Sequence, residues 1–458
     1  MKQFSSLKIA VYGLGISGLK TLELLHTINN KLIADALQPA SLWVIDKGAP
    51  ENWKNRNSPE LTNILEAQMM NQEWPHTASI LAQMDLIILA PGISKEIEAL
   101  LLAIKRGVPI WSEIELAYQF TSDEKIIAVT GTNGKTTTVT MIEEMLTAAG
   151  IPHFIGGNIG LPFSAYANEK LKNQNKLPVI VLELSSFQLE SIDRFRPNVA
   201  VLTNLSFSHQ ERYSTFDLYQ RAKFNITKNQ HTTDTLIYNQ SNCEHFADRW
   251  PNNLSLNKIA FNTESAISYV KQHFALEHFS LPGAHNIENL FCAIQALSIL
   301  GIEHAPIQNS INSFKGVHYR VEKINGNRQY TLFNDAKSTN IDATIHAINA
   351  VKNPGKALYL IFGGKPRDGG AGYVLDRLSL DDTAIAKIFL IGETTNELYA
   401  QLQHKFNVVR SYSIKDAISS IDNENNFTGI VLFSPGYPSF DQFDNYQHRG
   451  RSFEELFF

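Results

Sequence analysis

The stretch Val129–Thr140 reads VTGTNGKTTTVT. It carries Gly134-Lys135-Thr136, the closing residues of a phosphate-binding loop, but Val129 stands where the strict pattern has its first glycine. What surrounds it decides between a nucleotide site and a plain connecting turn. Lys125–Gly131 (KIIAVTG) is an apolar, β-rich run, and Val139, Ile142, Met145, Leu146 and Ala149 follow at helical spacing until Gly150 ends the pattern. A glycine-rich loop between a buried strand and a helix N-terminus gathers backbone N–H groups around the positive end of the helix dipole. Gly131 and Gly134 let the backbone turn tightly, Lys135 brings a point charge for the outer phosphates, and Thr136 offers a hydroxyl to Mg²⁺.

Outward from this loop, short apolar runs alternate with helical patterns. The strand-like runs are Lys8–Gly13, Ser41–Asp46, Met84–Gly92, Val179–Ser186, Asn198–Ser206, Ala357–Gly364, Lys387–Gly392 and Gly429–Gly436. Runs that are apolar at consecutive positions are buried on both faces, which predicts parallel sheets covered by helices and an α/β fold. Three blocks are expected: a Rossmann-like domain over 1–113, a central P-loop ATPase-like domain with a parallel sheet over 114–316, and a second Rossmann-like domain over 317–458. Residues 231–280 are polar and irregular and carry no legible motif.

A chain of 458 residues exceeds one ordinary core, and the length prior is roughly two to four domains. The formal charge of −5 argues against a general nucleic-acid or anionic-membrane binder while leaving room for a local basic pocket. The two cysteines, Cys243 and Cys292, match no metal or redox spacing and fit a reducing cytosol. The N-terminal run is broken by Lys8 and by glycines, so it reads as a strand rather than a signal peptide. No stretch approaches the roughly 18 uninterrupted apolar residues of a membrane span.

Other features carry chemistry. GLGISG at Gly13–Gly18 follows a strand, precedes a helical pattern, and is followed by Asp46 at the end of the next strand, a fair match to the dinucleotide fingerprint. Alone it would favour an NAD-dependent oxidoreductase. APGIS at Ala90–Ser94 offers a second tight turn to the same crevice. Glu183 ends a buried strand, where a lone carboxylate is costly unless paired or on a metal. With Thr136 and Glu183 on neighbouring strands of one sheet, a shared Mg²⁺ is geometrically reasonable. His209 and Lys223 would not stand out by spacing alone.

Taken in order, GTNGKTT, ELSSFQL, NLSxxHxxRY, a lysine on the next helix, GAHNIENL, HYRVE, NDAKSTN and SPGYPSFDQFDNYQHRG resemble the Mur ligases, from GLGISG nearly to the C-terminus. ELSSFQL and SFDQF look most like the branch that adds D-glutamate to UDP-N-acetylmuramoyl-L-alanine. The resemblance implies a cytoplasmic enzyme of peptidoglycan precursor synthesis, with ATP and Mg²⁺ as cofactors and no nucleic-acid or membrane partner. It also implies a monomer.

The resemblance also assigns residues. Gly131, Thr132, Asn133, Gly134, Lys135, Thr136 and Thr137, with Asn286, Asn289, Arg320 and Asp335, would hold ATP. Thr136, Glu183, His209 and Lys223 would serve the metal, with Lys135, His209 and Lys223 catalytic and Lys223 carried as a carbamate. Ile16, Ser17, Asp46, Gly92 and Asn158 would meet the UDP-linked substrate. Lys337, Thr339, Arg367, Ser439 and Phe440 would form the amino-acid pocket. This chain departs from the family pattern at Ser208, where an acid usually precedes the histidine. It departs again at GGKPRDGG, where Lys365 and Arg367 replace the usual Gly-Lys, so D-glutamate, L-glutamate and another amino acid stay open. Against the rivals, an oxidoreductase leaves the phosphate loop unexplained. A regulatory ATPase would hydrolyse ATP without an amino acid, and ELSSFQL and the first block speak against a folate-type ligase.

Overall fold

The computed structural model describes residues 1–46, 77–206, 208–209, 212–242, 257–339, 341–366, 374–375, 378, 385–424 and 427–457. The chain forms two compact units. One comprises Met1–Ser208, Thr215–Glu277 and Ile287–Asn312; the other comprises His209–Ser214, His278–Asn286 and Ser313–Phe458.

The first unit holds two sheets. In the N-terminal one, β1 (Lys8–Tyr12) runs parallel between β2 (Ser41–Ile45) and β3 (Leu86–Leu89), with β4 (Ile110–Ser112) outside β3. Successive residues of β1 fill different cores. Ile9 and Val11 join Leu22, Leu25 and Ile28 of helix Ile16–Ala34, while Ala10 and Tyr12 join Leu81, Leu100 and Ala103 on the other face. Both faces are covered, which is why the strand reads as a continuous apolar run.

The central sheet runs β10-β9-β8-β5-β7-β6, all parallel among the described residues. Its strands are β5 (Lys125–Thr130), β6 (His153–Gly157), β7 (Val179–Glu183), β8 (Val199–Leu202), β9 (Thr235–Asn239) and β10 (Asn257–Phe261). The chain leaves β5 toward β6 and β7 on one side and returns to β8 on the other. The carboxyl ends of β5 and β8 therefore flank a topological switch point, the usual ligand crevice of an open parallel sheet. The apolar interior of helix Phe163–Asn173 shares one core with the N-terminal sheet's helix Ile16–Ala34, and Thr27 Oγ1 donates to Asn168 Oδ1 at 2.6 Å between them.

Residues 231–280 differ from expectation. They contain β9, β10 and helix Thr263–His273, which extend the central sheet. β10 lies at the sheet edge and buries only Phe261, so it shows no hydrophobic run. β6, also an edge strand, was hidden by its His153 and paired glycines. Cys243 lies outside the described residues, and Cys292 is a buried free thiol that burial raises well above its ordinary pKa.

The second unit is built on a mixed sheet, β11-β12-β16-β13-β14-β15. β11 (Glu322–Ile324) pairs antiparallel with β12 (Thr331–Asn334), and β16 (Ile430–Phe433), β13 (Leu358–Gly363), β14 (Ile385–Ile391) and β15 (Val408–Tyr412) are parallel. Leu358, Leu360 and Phe362 face one core and Ile361, Phe389 and Phe433 the other.

Candidate active site

The phosphate loop joins the end of β5 to helix Lys135–Ala148, and its glycines are irreplaceable for local reasons. Gly131 (φ 146°) would place a Cβ 2.0 Å from Thr203 Oγ1, and Gly134 (φ 82°) would place one 2.3 Å from Asn289 Oδ1. Both positions need positive φ and have no room for a side chain.

The segment after β8 braces the loop. Asn204 Oδ1 accepts from the Asn133 N–H at 3.0 Å, its Nδ2 donates to the Asn133 carbonyl at 3.0 Å, and Thr203 Oγ1 donates to that carbonyl at 2.6 Å. Thr132 Oγ1 lies 3.0 Å from the Tyr219 hydroxyl, donates to the Ser206 carbonyl and accepts the Ser206 N–H. Thr137 is buried in the first turn of the helix.

Charge gathers at this crevice. Lys135 Nζ donates to the carbonyls of Gly131 and Thr132, both at 2.9 Å. Thr136 Oγ1 donates to Glu183 Oε2 at 2.6 Å, and Asn158 Nδ2 to Glu183 Oε1 at 2.8 Å. Their closeness follows from the sheet, since β5 and β7 are neighbours with Val129 opposite Glu183. A buried hydroxyl and a buried carboxylate are hard oxygen donors of the kind Mg²⁺ takes, so Thr136 and Glu183 fit that ion. Lys223, on helix Phe216–Phe224, is 2% exposed and donates from Nζ to the Gly131 carbonyl at 2.7 Å, with the Tyr219 ring 4.8 Å away. Burial drives its pKa well below the ordinary lysine value; the nearby Lys135 charge acts the same way and Glu183 partly opposes it. Burial therefore favours the neutral form of this amine.

A second glycine turn lies at the carboxyl ends of β1, β2 and β3. Leu14 N–H donates to Asp46 Oδ2, and a Cβ on Gly13 would lie 2.7 Å from Ala90 Cβ and 2.8 Å from Ile93 Cδ1. The GLGISG and APGIS turns therefore abut. Ile16 begins the following helix and is 70% exposed, Ser17 is half-buried, and Gly92 is exposed. Asn158 stands apart from these four: its side chain and its N–H (2.8 Å to the Glu183 carbonyl) bind Glu183.

In the second unit, Asp335 lies after β12 and is buried; Ser434 Oγ donates to its Oδ2 at 2.6 Å and the Val321 N–H to its Oδ1 at 3.2 Å. Burial raises its pKa to about 6, against the pull of the Arg320 guanidinium. Arg320 also faces His285, which burial, His346 and Arg320 together lower to about 4. Asn286 donates to the Pro282 carbonyl at 2.7 Å, whereas Asn289, one helical turn on, lies against Gly134 in the first unit. His209 adopts φ 61° and its carbonyl accepts the N–H groups of Arg212 and Tyr213. Lys337 Nζ lies 5.3 Å from the Tyr446 ring centroid, Thr339 is half-buried, Ser439 is buried and Phe440 is 66% exposed. Arg367 lies outside the described residues.

Sequence reasoning missed Tyr219 and Arg449. Tyr219 precedes Lys223 by four residues on one helix, the spacing of same-face neighbours, so a signal existed. Arg449 is buried and donates to the carbonyls of Tyr437 (2.8 Å), Ala336 (2.7 Å) and Ser338 (3.2 Å), tying the loop after β12 to the loop after β16. Its partners are all distant backbone atoms, which leave no local mark.

A phosphate loop at the switch point of a parallel sheet, a carboxylate on the adjacent strand and a buried lysine define a nucleotide-dependent enzyme of the P-loop class. Residues 129–297 match the family described as Mur ligase middle domain. A protein of Desulfatibacillum aliphaticivorans named UDP-N-acetylmuramoylalanine–D-glutamate ligase is 34% identical over 395 residues, covering 83% of this chain and 85% of its own. One of the same name from Koribacter versatilis is 31% identical over 464 residues, 98% of this chain and 96% of its own. In fold, the crystal structure of MurF ligase from Thermotoga maritima in complex with ADP has a TM-score of 0.56 at 14% identity, covering 82% of this chain and 98% of that one. The chain belongs to the Mur ligase family.

Proposed function

We propose that this chain is the ligase that joins D-glutamate to UDP-N-acetylmuramoyl-L-alanine at the expense of ATP, in peptidoglycan precursor synthesis. The observation that carries the reading is end-to-end likeness to relatives of that name, 98% of this chain against 96% of one of them. The site supports the nucleotide half of it.

The γ-phosphoryl group of ATP passes to the carboxylate of the UDP-linked substrate, giving an acyl phosphate and ADP. The amine of the amino acid then attacks the acyl carbon, the phosphate leaves, and the nitrogen loses a proton. Lys135 and the amides of residues 131–136 meet the negative charge that spreads over the transferring group. Mg²⁺, held by Thr136 and Glu183 with His209 and Lys223 contributing, would offset charge on the phosphate oxygens. Asn158 and Thr136 orient the Glu183 carboxylate by donating to its two oxygens. Holding three substrates in line supplies much of the rest.

Lys223 is read as a carbamate in the working enzyme. The neutral amine that burial favours adds to CO₂, forming an N–C bond and releasing a proton, and a cation becomes an anion suited to a metal-bearing site. Asn286, Asn289, Arg320 and Asp335 are read as nucleotide contacts, and Gly13–Gly18 with Asp46 and Gly92 as the cradle of the uridine diphosphate. Lys337, Thr339, Arg367, Ser439 and Phe440 are read as the amino-acid pocket. No helix among the described residues is long and apolar enough to cross a membrane. We place the enzyme in the cytoplasm, as a monomer.

Phosphate release tests the reading. With ATP, Mg²⁺ and UDP-N-acetylmuramoyl-L-alanine present, D-glutamate is expected to stimulate release far above L-glutamate, D-aspartate or L-alanine. Release that no amino acid stimulates would overturn it.

A further inference from the structure

Helix Glu113–Tyr118, which leaves the N-terminal sheet after β4, carries two buried carboxylates that bind backbone around the central sheet. Glu115 Oε2 accepts the N–H groups of Asp193, Arg194 and Phe195 at 2.8, 3.0 and 2.9 Å, while Gln119 Nε2 donates to its Oε1 at 2.6 Å. These amides lie just beyond helix Ser186–Leu189, on the segment that follows Glu183. Glu113 Oε1 accepts the Ser164 N–H.

Ser164 lies in the first turn of helix Phe163–Asn173, whose N-cap is Pro162 and which has no side-chain cap of its own. Glu113 thus supplies, from a distant part of the chain, the acceptor that the orphan amides of a helix start require. Its other oxygen, Oε2, and the Ser164 hydroxyl are both buried and have no partner among the described residues. Burial lifts this carboxyl to about 7.

Between Ser164 and β6 runs a tight turn. Gly157 N–H donates to the Leu161 carbonyl at 2.9 Å, and Asn158 uses its N–H and its Nδ2 to hold Glu183. A Cβ on Gly157 would lie 2.4 Å from the Glu183 carbonyl oxygen, so the turn and the strand end are in close register. The rest of helix Phe163–Asn173 has anchors of its own, Thr27 to Asn168 at 2.6 Å and the Tyr166 hydroxyl to Glu124 at 2.9 Å. Loss of Glu113 therefore loosens the helix start and the turn before it, and leaves the helix in place.

We propose that Glu113 is a positioning residue for Glu183: by capping helix Phe163–Asn173 it holds Asn158 against the Glu183 carboxylate and keeps that carboxylate aimed at the Thr136 hydroxyl. The proposal rests on the reading of Glu183 as a cation ligand, and the two can be separated. The measurements are Mn²⁺ affinity of the full chain with ADP present, read by water-proton relaxation, and steady-state phosphate release. Glu113→Ala is expected to weaken Mn²⁺ binding about 10-fold, the usual cost of removing a group that orients a metal ligand. It should lower kcat while leaving the KM for the amino acid unchanged. Glu113→Gln, which keeps an acceptor for the Ser164 N–H, is expected to restore both to wild type.

The proposal fails if Glu113→Ala binds Mn²⁺ normally while Glu183→Ala does not. It also fails if Glu113→Gln is as impaired as Glu113→Ala, or if the KM for the amino acid rises in step, the mark of general loosening. Normal Mn²⁺ binding in Glu183→Ala would overturn the reading of Glu183 and the positioning role with it.

Discussion

The first unit contains the same device twice. In each sheet a buried parallel strand ends in a glycine turn and a helix begins: β1 into GLGISG, and β5 into GTNGKT. The first turn presents backbone, an exposed Ile16 and the Asp46 carboxylate bonded to the Leu14 amide. The second is armed: Lys135, Thr136 and Glu183 meet at its mouth, and Lys223 reaches its Gly131 carbonyl. Backbone amides and a helix dipole suffice to seat an anion. Moving a phosphoryl group needs charge that is already in place where charge develops. The contrast fits the proposed division of labour, in which the first loop holds the UDP-linked substrate and the second carries out the reaction.

The sharpest way to break that contrast is to disarm the second loop. Lys135→Ala is expected to lower kcat for phosphate release about 1,000-fold, in line with loss of one preorganised electrostatic donor. Thermal stability should change much less than kcat, because the lysine is only half-buried and donates to carbonyls of its own loop. A variant with near-normal kcat would place the two loops on an equal footing.

Next come the turns themselves. Gly18→Ala would put a Cβ 1.9 Å from the Gly13 carbonyl, and Gly131→Ala one 2.0 Å from Thr203 Oγ1 at a φ that disfavours side chains. Both should destabilise the fold by about 1–3 kcal/mol through overpacking, read by chemical denaturation. The comparison predicts a split in ligand binding. Gly131→Ala should lose binding of a non-hydrolysable ATP analogue, whereas Gly18→Ala should keep it and lose affinity for the UDP-linked substrate. A smaller effect follows at Asp46: without the acceptor for the Leu14 amide, Asp46→Ala should raise the KM for the UDP-linked substrate about 10-fold, leaving that for ATP unchanged.

The armed loop was also the more legible one. Its glycines, lysine and threonine are contiguous, and the strand before it and helix after it announce themselves by periodicity, so everything that makes it a phosphate site lies within one short window. Glu183 was legible because a carboxylate at the end of an apolar run is conspicuous. What hid was long-range or at an edge. Glu113 and Glu115 look like surface acids of a short helix until their partners, Ser164 and Asp193–Phe195, are brought up by the fold. Arg449 binds carbonyls, which have no sequence identity. β10 buries one residue of five, so the patterning that reveals interior strands is absent.

The contact that joins the two loops' sheets gives a pH dependence whose sign can be worked out. The Glu113 carboxyl is lifted from 4.5 to about 7 by burial, with the Ser164 amide and hydroxyl opposing. The folded protein therefore holds this proton to higher pH than the unfolded chain does. A raised pKa contributes stability that is full below the unfolded value and is lost as pH rises through the folded one. Between those two values Glu113 should add a downward slope of at most about 1.4 kcal/mol per pH unit to the stability of the wild type. Asp335, lifted from 3.8 to about 6, contributes a slope of the same sign beginning lower. Glu113→Gln removes only the first contribution, so its stability, measured by urea denaturation at several pH values, should fall less steeply than wild type up to about pH 7 and run parallel above it. Parallel curves throughout would mean that Glu113 is ionised in the folded protein, its charge met by the Ser164 amide, and that the two sheets are joined by an anion rather than by a proton.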